Sequence, residues 1–221
     1  MKNLTLIVPA KNEPESLPIV LNELEKFEYK ICIVLHGTDT KTIESIKDYD
    51  VNIIYQKNFG YGDAIIEGIN NCNTEYFCIF NADGSFNPSE IDGMFESMQI
   101  RNLDFIFASR YESNSGSEDD TILTLIGNYI FTYIGKIFFR LSVSDILYTF
   151  LIGRTNKAKK LNLSQKDFSF CVELPIKAKK NEMKLGSINA FERKRIAGKK
   201  KVNAFKDGFL ILLHMIKLFF K

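Results

Sequence analysis

Three short segments of this 221-residue chain hold the residue types that handle phosphate and divalent cations. Pro9-Ala10-Lys11-Asn12-Glu13, Asn58-Phe59-Gly60-Tyr61-Gly62-Asp63-Ala64 and Asn81-Ala82-Asp83-Gly84-Ser85 each follow a short apolar run. Glycine lets backbone approach a ligand closely, and the free N–H groups where a helix begins attract phosphate. Asp83 offers a hard oxygen to a divalent ion such as Mg2+, which typically bridges a protein carboxylate and substrate phosphates. Diphosphate plus metal is the chemistry these segments suit. Gly60-Tyr61-Gly62, with Asp83 about twenty residues on, also imitates a dinucleotide-binding fingerprint. The third glycine is absent and the match follows the third apolar run instead of the first, which disfavours a nicotinamide-dependent oxidoreductase.

The elements that must position these segments are legible in the hydrophobic pattern. Short, nearly continuous apolar runs at Leu4–Pro9, Lys30–Leu35, 51–56, 76–80 and 103–108 read as buried parallel strands. Between them, 15–27, 41–47, 61–70 and 88–100 carry apolar residues at helical spacing. Strand–helix alternation predicts an open, mostly parallel α/β sheet with helices on both faces. Ligands in such sheets bind beyond the carboxyl ends of the strands, where the three segments fall. The polar loop 111–120 is expected to be mobile. Beyond it, 121–139 and 205–221 are apolar but interrupted, and neither offers about 20 clean apolar residues for a membrane span. Both suit helices lying in a membrane interface with basic residues at the headgroups; two core or dimer-interface helices are the alternative.

An apolar fraction of 45% with 25% charged residues is that of a globular domain. The net charge of +2 conceals an asymmetry: residues 1–120 carry 9 Lys+Arg and 21 Asp+Glu, a net −12, whereas 121–221 carry 20 and 6, a net +14. One half therefore suits an anionic partner, such as anionic lipid or a phosphorylated substrate. Nucleic acid is disfavoured, because the basic runs at 157–160 and 199–201 lack interleaved aromatics or a reader motif. Cys32, Cys72, Cys78 and Cys171 show no C-x-x-C spacing and read as buried free thiols. The first ten residues lack the features of a signal peptide, so a cytoplasmic protein, or one on the cytoplasmic face of a membrane, is expected.

The motifs resemble those of the inverting family 2 glycosyltransferases. Ile7-Val8-Pro9-Ala10-Lys11-Asn12-Glu13 is similar to the family's V-P-A-Y-N-E, 58–64 to its N-x-G-x-G-x-A, and 81–90 to its D-A-D-G-x-x-x-P-x-E. Ala108-Ser109-Arg110-Tyr111 resembles G-S-R-Y, Asp145 falls at the Asp of D-x-x-S-G-F-R, and Phe170 with Glu173 matches F-x-x-E. Glu192-Arg193 followed by Gly198-Lys199-Lys200-Lys201 looks like the basic Y-R-x-R…G-x-S-K segment. The branch it most resembles is the polyprenyl-phosphate sugar transferases, of which dolichol-phosphate mannose synthases are an example.

That resemblance implies a GT-A fold, Rossmann-like and binding a nucleotide-diphosphate sugar, over residues 1–204. Residues 205–221 are then a C-terminal amphipathic helix on the membrane surface. It implies Mg2+ or Mn2+ on Asp83, with Asn81 or Ser85 helping, and inversion at the sugar carbon. Pro9, Ala10 and Glu13 would contact the nucleoside. Asn58, Gly60, Gly62, Ala82 and Arg110 would line the donor site, and Arg193, Lys199 and Lys201 would neutralise diphosphate or acceptor phosphate. The implied acceptor is polyprenyl phosphate, whose phosphate monoester is largely ionised at neutral pH and needs little general-base help. A saccharide or other hydroxyl acceptor would need a base, with Asp145 first and Glu173 second. Three departures stand out. Asn81 replaces the first Asp of D-x-D, leaving a catalytically weakened nucleotide-sugar-binding protein as a further alternative. Leu35-His36-Gly37-Thr38 replaces D-D-G-S, so His36 becomes the candidate to stack on or hydrogen-bond a base. Tyr148-Thr149-Phe150 replaces S-G-F.

Overall fold

The computed structural model describes residues 3–198 and 201–220. Its first half alternates as the pattern predicts: β1 (Leu4–Pro9), α1 (Ser16–Leu24), β2 (Lys30–Leu35), α2 (Thr40–Ser45), β3 (Asn52–Tyr55), α3 (Tyr61–Asn71), β4 (Tyr76–Ile79), α4 (Glu90–Ile100) and β5 (Phe105–Ser109). There follow β6 (Gly116–Ser117), α5 (Ile122–Phe139), β7 (Leu151–Arg154), α6 (Thr155–Lys160), α7 (Phe170–Lys180), β8 (Leu185–Asn189), β9 (Phe191–Glu192) and α8 (Ala204–Phe219). The main sheet runs β3-β2-β1-β4-β7-β5-β8. All its pairings are parallel except those of β7, which is antiparallel to both β4 and β5. The strand order reverses between β1 and β4, so the loops after Pro9 and Ile79 lie side by side, with Phe80 N–H on Ile7 C=O. This is the crevice where ligands of such sheets bind.

Both faces of the sheet are covered. The apolar sides of α1 and α4 pack on one face around Leu17, Leu21, Met94 and Phe150, and α3, α6 and α7 pack on the other around Ile65, Phe77, Phe105 and Leu174. All four cysteines are free and buried. A second sheet of two short strands pairs β6 with β9 in parallel, setting Ser117 opposite Glu192. The loop 111–120, expected to be mobile, is thereby tied to the chain that follows β8.

A third cluster joins α5, α7 and α8 through Phe131 and Ile134, Val172 and Ile176, and Ile211 and Met215, with Leu141 and Ile146 of the following loop. Each of the two interrupted apolar segments gives one face to this cluster and leaves the other exposed. Along α5 the buried residues are Asn128, Thr132 and Gly135, a polar and small stripe that faces the domain. Asn128 donates to Tyr111 Oη at 2.6 Å, and Thr132 Oγ1 accepts from Ile146 N–H at 3.2 Å. Ile122, Ile126, Ile130, Tyr133 and Ile137 are exposed, as are Phe205, Phe209, Leu213 and Ile216 of α8. Contrary to the sequence-based expectation, α5 is long and apolar enough to cross a membrane by length and composition. Three of its interruptions, Asn128, Thr132 and Gly135, sit on the inward face, which is occupied by the protein itself, whereas Lys136 is exposed.

Candidate functional site

The Asp83 loop is built from within. Asp83 Oδ1 accepts from Ser85 N–H at 3.1 Å and Ser85 Oγ at 2.7 Å, which leaves Oδ2 to face the Arg195 guanidinium at 3.4 Å. Ser85 is buried, so its hydroxyl orients the carboxylate instead of standing in the cleft as a ligand. Asn81 Oδ1 accepts from Tyr61 Oη at 3.2 Å, and Tyr61 Oη lies 2.5 Å from Thr149 Oγ1. Since a tyrosine has one proton to give, Thr149 donates to Tyr61 and Tyr61 donates to Asn81. Two of the departures, Asn81 and Thr149, are thus ends of one hydrogen-bond chain, and burial raises the pKa of Tyr61 to keep it protonated. Among the described residues, no cluster of three or more His, Cys, Asp or Glu is arranged to hold a metal. The one carboxylate of Asp83 still fits Mg2+ or Mn2+, ions that take one or two carboxylates and complete their shells with phosphate and water.

The glycine motif does a different task from the one its spacing suggests. A Cβ on Gly62 would lie 2.2 Å from Gln165 O, and one on Gly60, whose φ is +136°, would lie 2.0 Å from Lys166 O. The α3 N-terminus is therefore closed by the chain's own 165–167 backbone, with Asp63 N–H on Lys166 C=O at 3.1 Å. Gly60 and Gly62 admit that backbone and not a phosphate. Asn58 is exposed, and its N–H and side-chain amide both donate to Asp63.

Both candidate bases are committed elsewhere. Asp145 is fully buried and takes Arg110 Nε at 2.7 Å and Nη2 at 3.1 Å. Arg110 Nη1 continues to Glu192 at 3.1 Å and Asp120 at 3.4 Å, and its guanidinium lies over the Tyr148 ring. Arg110 is therefore a buried hub and not an open donor contact. Burial raises the pKa of Glu192, and the nearby Arg110 opposes the shift. Glu173 is also fully buried; its oxygens accept from Ser164 and Gln165 N–H groups and pair with Lys177 at 2.8 Å. These contacts hold its pKa low against the burial. It anchors the loop that closes α3. Neither carboxylate is presented to a reacting group, because Asp145 is the counter-charge of the buried Arg110 and Glu173 is taken up by Lys177 and the 164–165 backbone.

The strap 193–198 with Lys201 lies across the sheet edge. Arg193 pairs with Glu23 at 2.8 Å and donates to Phe86 C=O at 2.7 Å, while Lys201 pairs with Glu13. Arg193 N–H meets Ser85 C=O and Ile196 N–H meets Asp83 C=O, both at 2.8 Å. Arg195, which motif reading passed over, pairs with Asp83 at 3.4 Å and holds Asp119 through two bonds of 3.2 and 3.1 Å. The signal was present in the opposite charges of Glu118-Asp119-Asp120 and Arg193-Lys194-Arg195. Lys199 lies outside the described residues. Near the strap a cavity of about 280 Å3 is lined by Asn12, Glu13, Asp39, Lys41 and Gly198. Pro9 and Ala10 lead into it from β1, and Ala82 is buried beside Asp83. At the ends of β2 and β3, the His36 ring stacks on the exposed Phe59 ring at 4.0 Å between centroids, with His36 Nδ1 2.7 Å from Thr38 Oγ1.

The mostly parallel sheet, with Asp83 at the switch in strand order and a basic strap across that edge, has the GT-A fold of glycosyltransferases. The chain belongs to glycosyl transferase family 2, whose model matches residues 5–161. It is 23% identical over 211 residues to the UDP-N-acetylglucosamine–dolichyl-phosphate N-acetylglucosaminyltransferase of Methanococcus voltae, covering 85% of this chain and 84% of that one. It is 28% identical over 105 residues, 41% of this chain and 32% of the other, to the undecaprenyl-phosphate 4-deoxy-4-formamido-L-arabinose transferase of Photorhabdus laumondii. The fold matches glucosyl-3-phosphoglycerate synthase from Mycobacterium tuberculosis, solved with Mn2+ and uridine diphosphate, with a TM-score of 0.74 at 8% identity. That match spans 98% of this chain and 80% of the other.

Proposed function

We propose that the protein transfers a sugar from a nucleotide diphosphate to a polyprenyl phosphate, with inversion, using Mg2+ or Mn2+ at Asp83. The observation that carries this reading is the commitment of both candidate bases, Asp145 to Arg110 and Glu173 to the 164–165 loop. A hydroxyl acceptor needs its proton removed; a phosphate monoester arrives largely ionised and needs only positioning and charge neutralisation. Asp83 Oδ2, which now meets Arg195, is the oxygen for the cation, with Asn81 beside it. When bound, the cation neutralises the diphosphate leaving group. Glu13, with Pro9 and Ala10, serves the nucleoside from the adjoining cavity, and the His36–Phe59 stack offers a flat apolar surface to a base. Arg193 and Lys201, with Lys199, supply positive charge for the phosphates.

The apolar faces of α5 and α8 support a lipid-linked acceptor. Laid in a membrane interface, they bury Ile126, Ile130, Phe209 and Leu213, while Lys136, Arg140, Lys206 and Lys217 meet headgroups. The two relatives named above carry dolichyl and undecaprenyl phosphate in their names. The test is incubation of the chain with radiolabelled nucleotide sugars, Mn2+ and undecaprenyl or dolichyl phosphate. Label in the organic-extractable fraction is expected. Label appearing only on soluble hydroxyl acceptors would overturn the lipid-phosphate reading.

A further inference from the structure

We propose that Asp119 is a positioning residue for Arg195, and that Arg195 holds the place of the divalent cation on Asp83 until the cation displaces it. The proposal rests on the reading of Asp83 as the metal carboxylate. The argument begins with the shape of the guanidinium, a planar fork whose two edges engage unequally here. Nε and Nη2 form one edge and grip Asp119 at 3.2 and 3.1 Å. Nη1 alone reaches Asp83 Oδ2, and at the longer distance of 3.4 Å. The paired edge is the stronger and the single contact is the one that exchanges. The exchange also has only one oxygen to occur at, because Ser85 already occupies Oδ1.

Asp83 Oδ2 would hold a divalent cation brought with a diphosphate in preference to Arg195, since a divalent charge on a hard carboxylate outweighs one long contact. Arg195 then stays on Asp119 with Nη1 released beside the phosphates. The strap need not open for this. Its backbone is pinned by Ile196 N–H on Asp83 C=O and Lys194 N–H on Glu118 Oε2, so only a side chain turns. Asp119 in turn is held near the strap by the β6–β9 pairing. The acidic triplet 118–120 is thus the anchor of the basic triplet 193–195, and Asp119 keeps one phosphate-binding cation in the site through both states.

Two binding measurements test this without any sugar transfer. The first is the affinity for Mn2+ alone, from the electron paramagnetic resonance signal of the free ion. Arg195→Ala removes the competitor and is expected to bind Mn2+ about fivefold more tightly. Arg195→Lys is expected to gain less. Arg193→Ala, which removes an equal charge that touches Glu23 in place of Asp83, is expected to gain little. The second is calorimetric binding of inorganic pyrophosphate at saturating Mn2+. Asp119→Asn is expected to weaken it about fivefold in the native background and not at all in Arg195→Ala, with Asp119→Glu restoring it. Three results would each overturn the proposal: unchanged Mn2+ affinity in Arg195→Ala, an equal gain in Arg193→Ala, or an equal loss from Asp119→Asn with and without Arg195. Retention of full Mn2+ affinity by Asp83→Ala is a different failure, that of the metal reading itself.

Discussion

Asp145→Asn separates a buried anchor from a catalytic base. The carboxylate takes two charge-assisted bonds from Arg110, at 2.7 and 3.1 Å, in a site with no exposure of Asp145. Breaking a buried pair costs about 3–5 kcal/mol when the partner is left uncompensated. Here Arg110 keeps Glu192 at 3.1 Å and Asp120 at 3.4 Å, and an asparagine oxygen can still accept one N–H, so the lower end applies. At about 3 kcal/mol, a chain of this length should melt about 6–12 °C below the native protein. Because Arg110 would keep its contact with Glu192, a residue of the strand pair that ties the strap to loop 111–120, turnover should fall only modestly at temperatures where both forms are folded. Scanning calorimetry and initial rates of donor turnover, run on the same preparations, provide the assay. A variant that melts with the native protein but loses turnover by about a hundredfold or more would identify Asp145 as a base and refute the anchor argument.

Three further outcomes follow from the geometry. Gly62→Ala places a methyl 2.2 Å from Gln165 C=O and should cost about 3 kcal/mol or more, read as a lowered melting temperature; a neutral result would show that the 165–167 loop is not seated on α3. Glu173→Gln should destabilise the protein in a pH-dependent way. The folded pKa of Glu173 lies below its unfolded value near 4.5, so its contribution is complete above that pH and is lost as pH falls through the folded pKa. The melting difference between Glu173→Gln and the native protein should therefore be largest at neutral pH and close in acid, and a gap independent of pH would contradict the carboxylate's role. Replacing Ile126, Ile130 and Phe209 with Ser removes side chains that are already exposed, so melting should change little. Flotation on anionic vesicles should fall by about fivefold per residue if each contributes about 1 kcal/mol of interfacial burial. Unchanged flotation would remove the membrane assignment from this face.

The elements of the first half were determined by the sequence alone, because periodicity and turn residues are local properties. Leu4–Pro9 and Lys30–Leu35 begin and end where the apolar runs do, and α3 starts at the Tyr61 that follows Gly60. The placement of Asp83 just after β4 was equally legible, since strand ends in an alternating sheet determine which loops meet. The antiparallel β7 was not, because Leu151-Ile152-Gly153-Arg154 is a four-residue strand with only two aliphatic side chains, whose place between β4 and β5 depends on strands far away in the chain. Nor was the allegiance of the charged residues. Arg110 meets Asp145 across 35 residues and Glu192 across 82, and Arg195 meets Asp119 across 76. A motif shows that a carboxylate is present, but only the folded chain decides whether its oxygens face a ligand or a buried guanidinium. For the same reason Gly60 and Gly62 looked like a phosphate cradle in one dimension. In three they are the seat for a loop held by Glu173, because the space left by a missing Cβ goes to whichever group the tertiary fold brings there first.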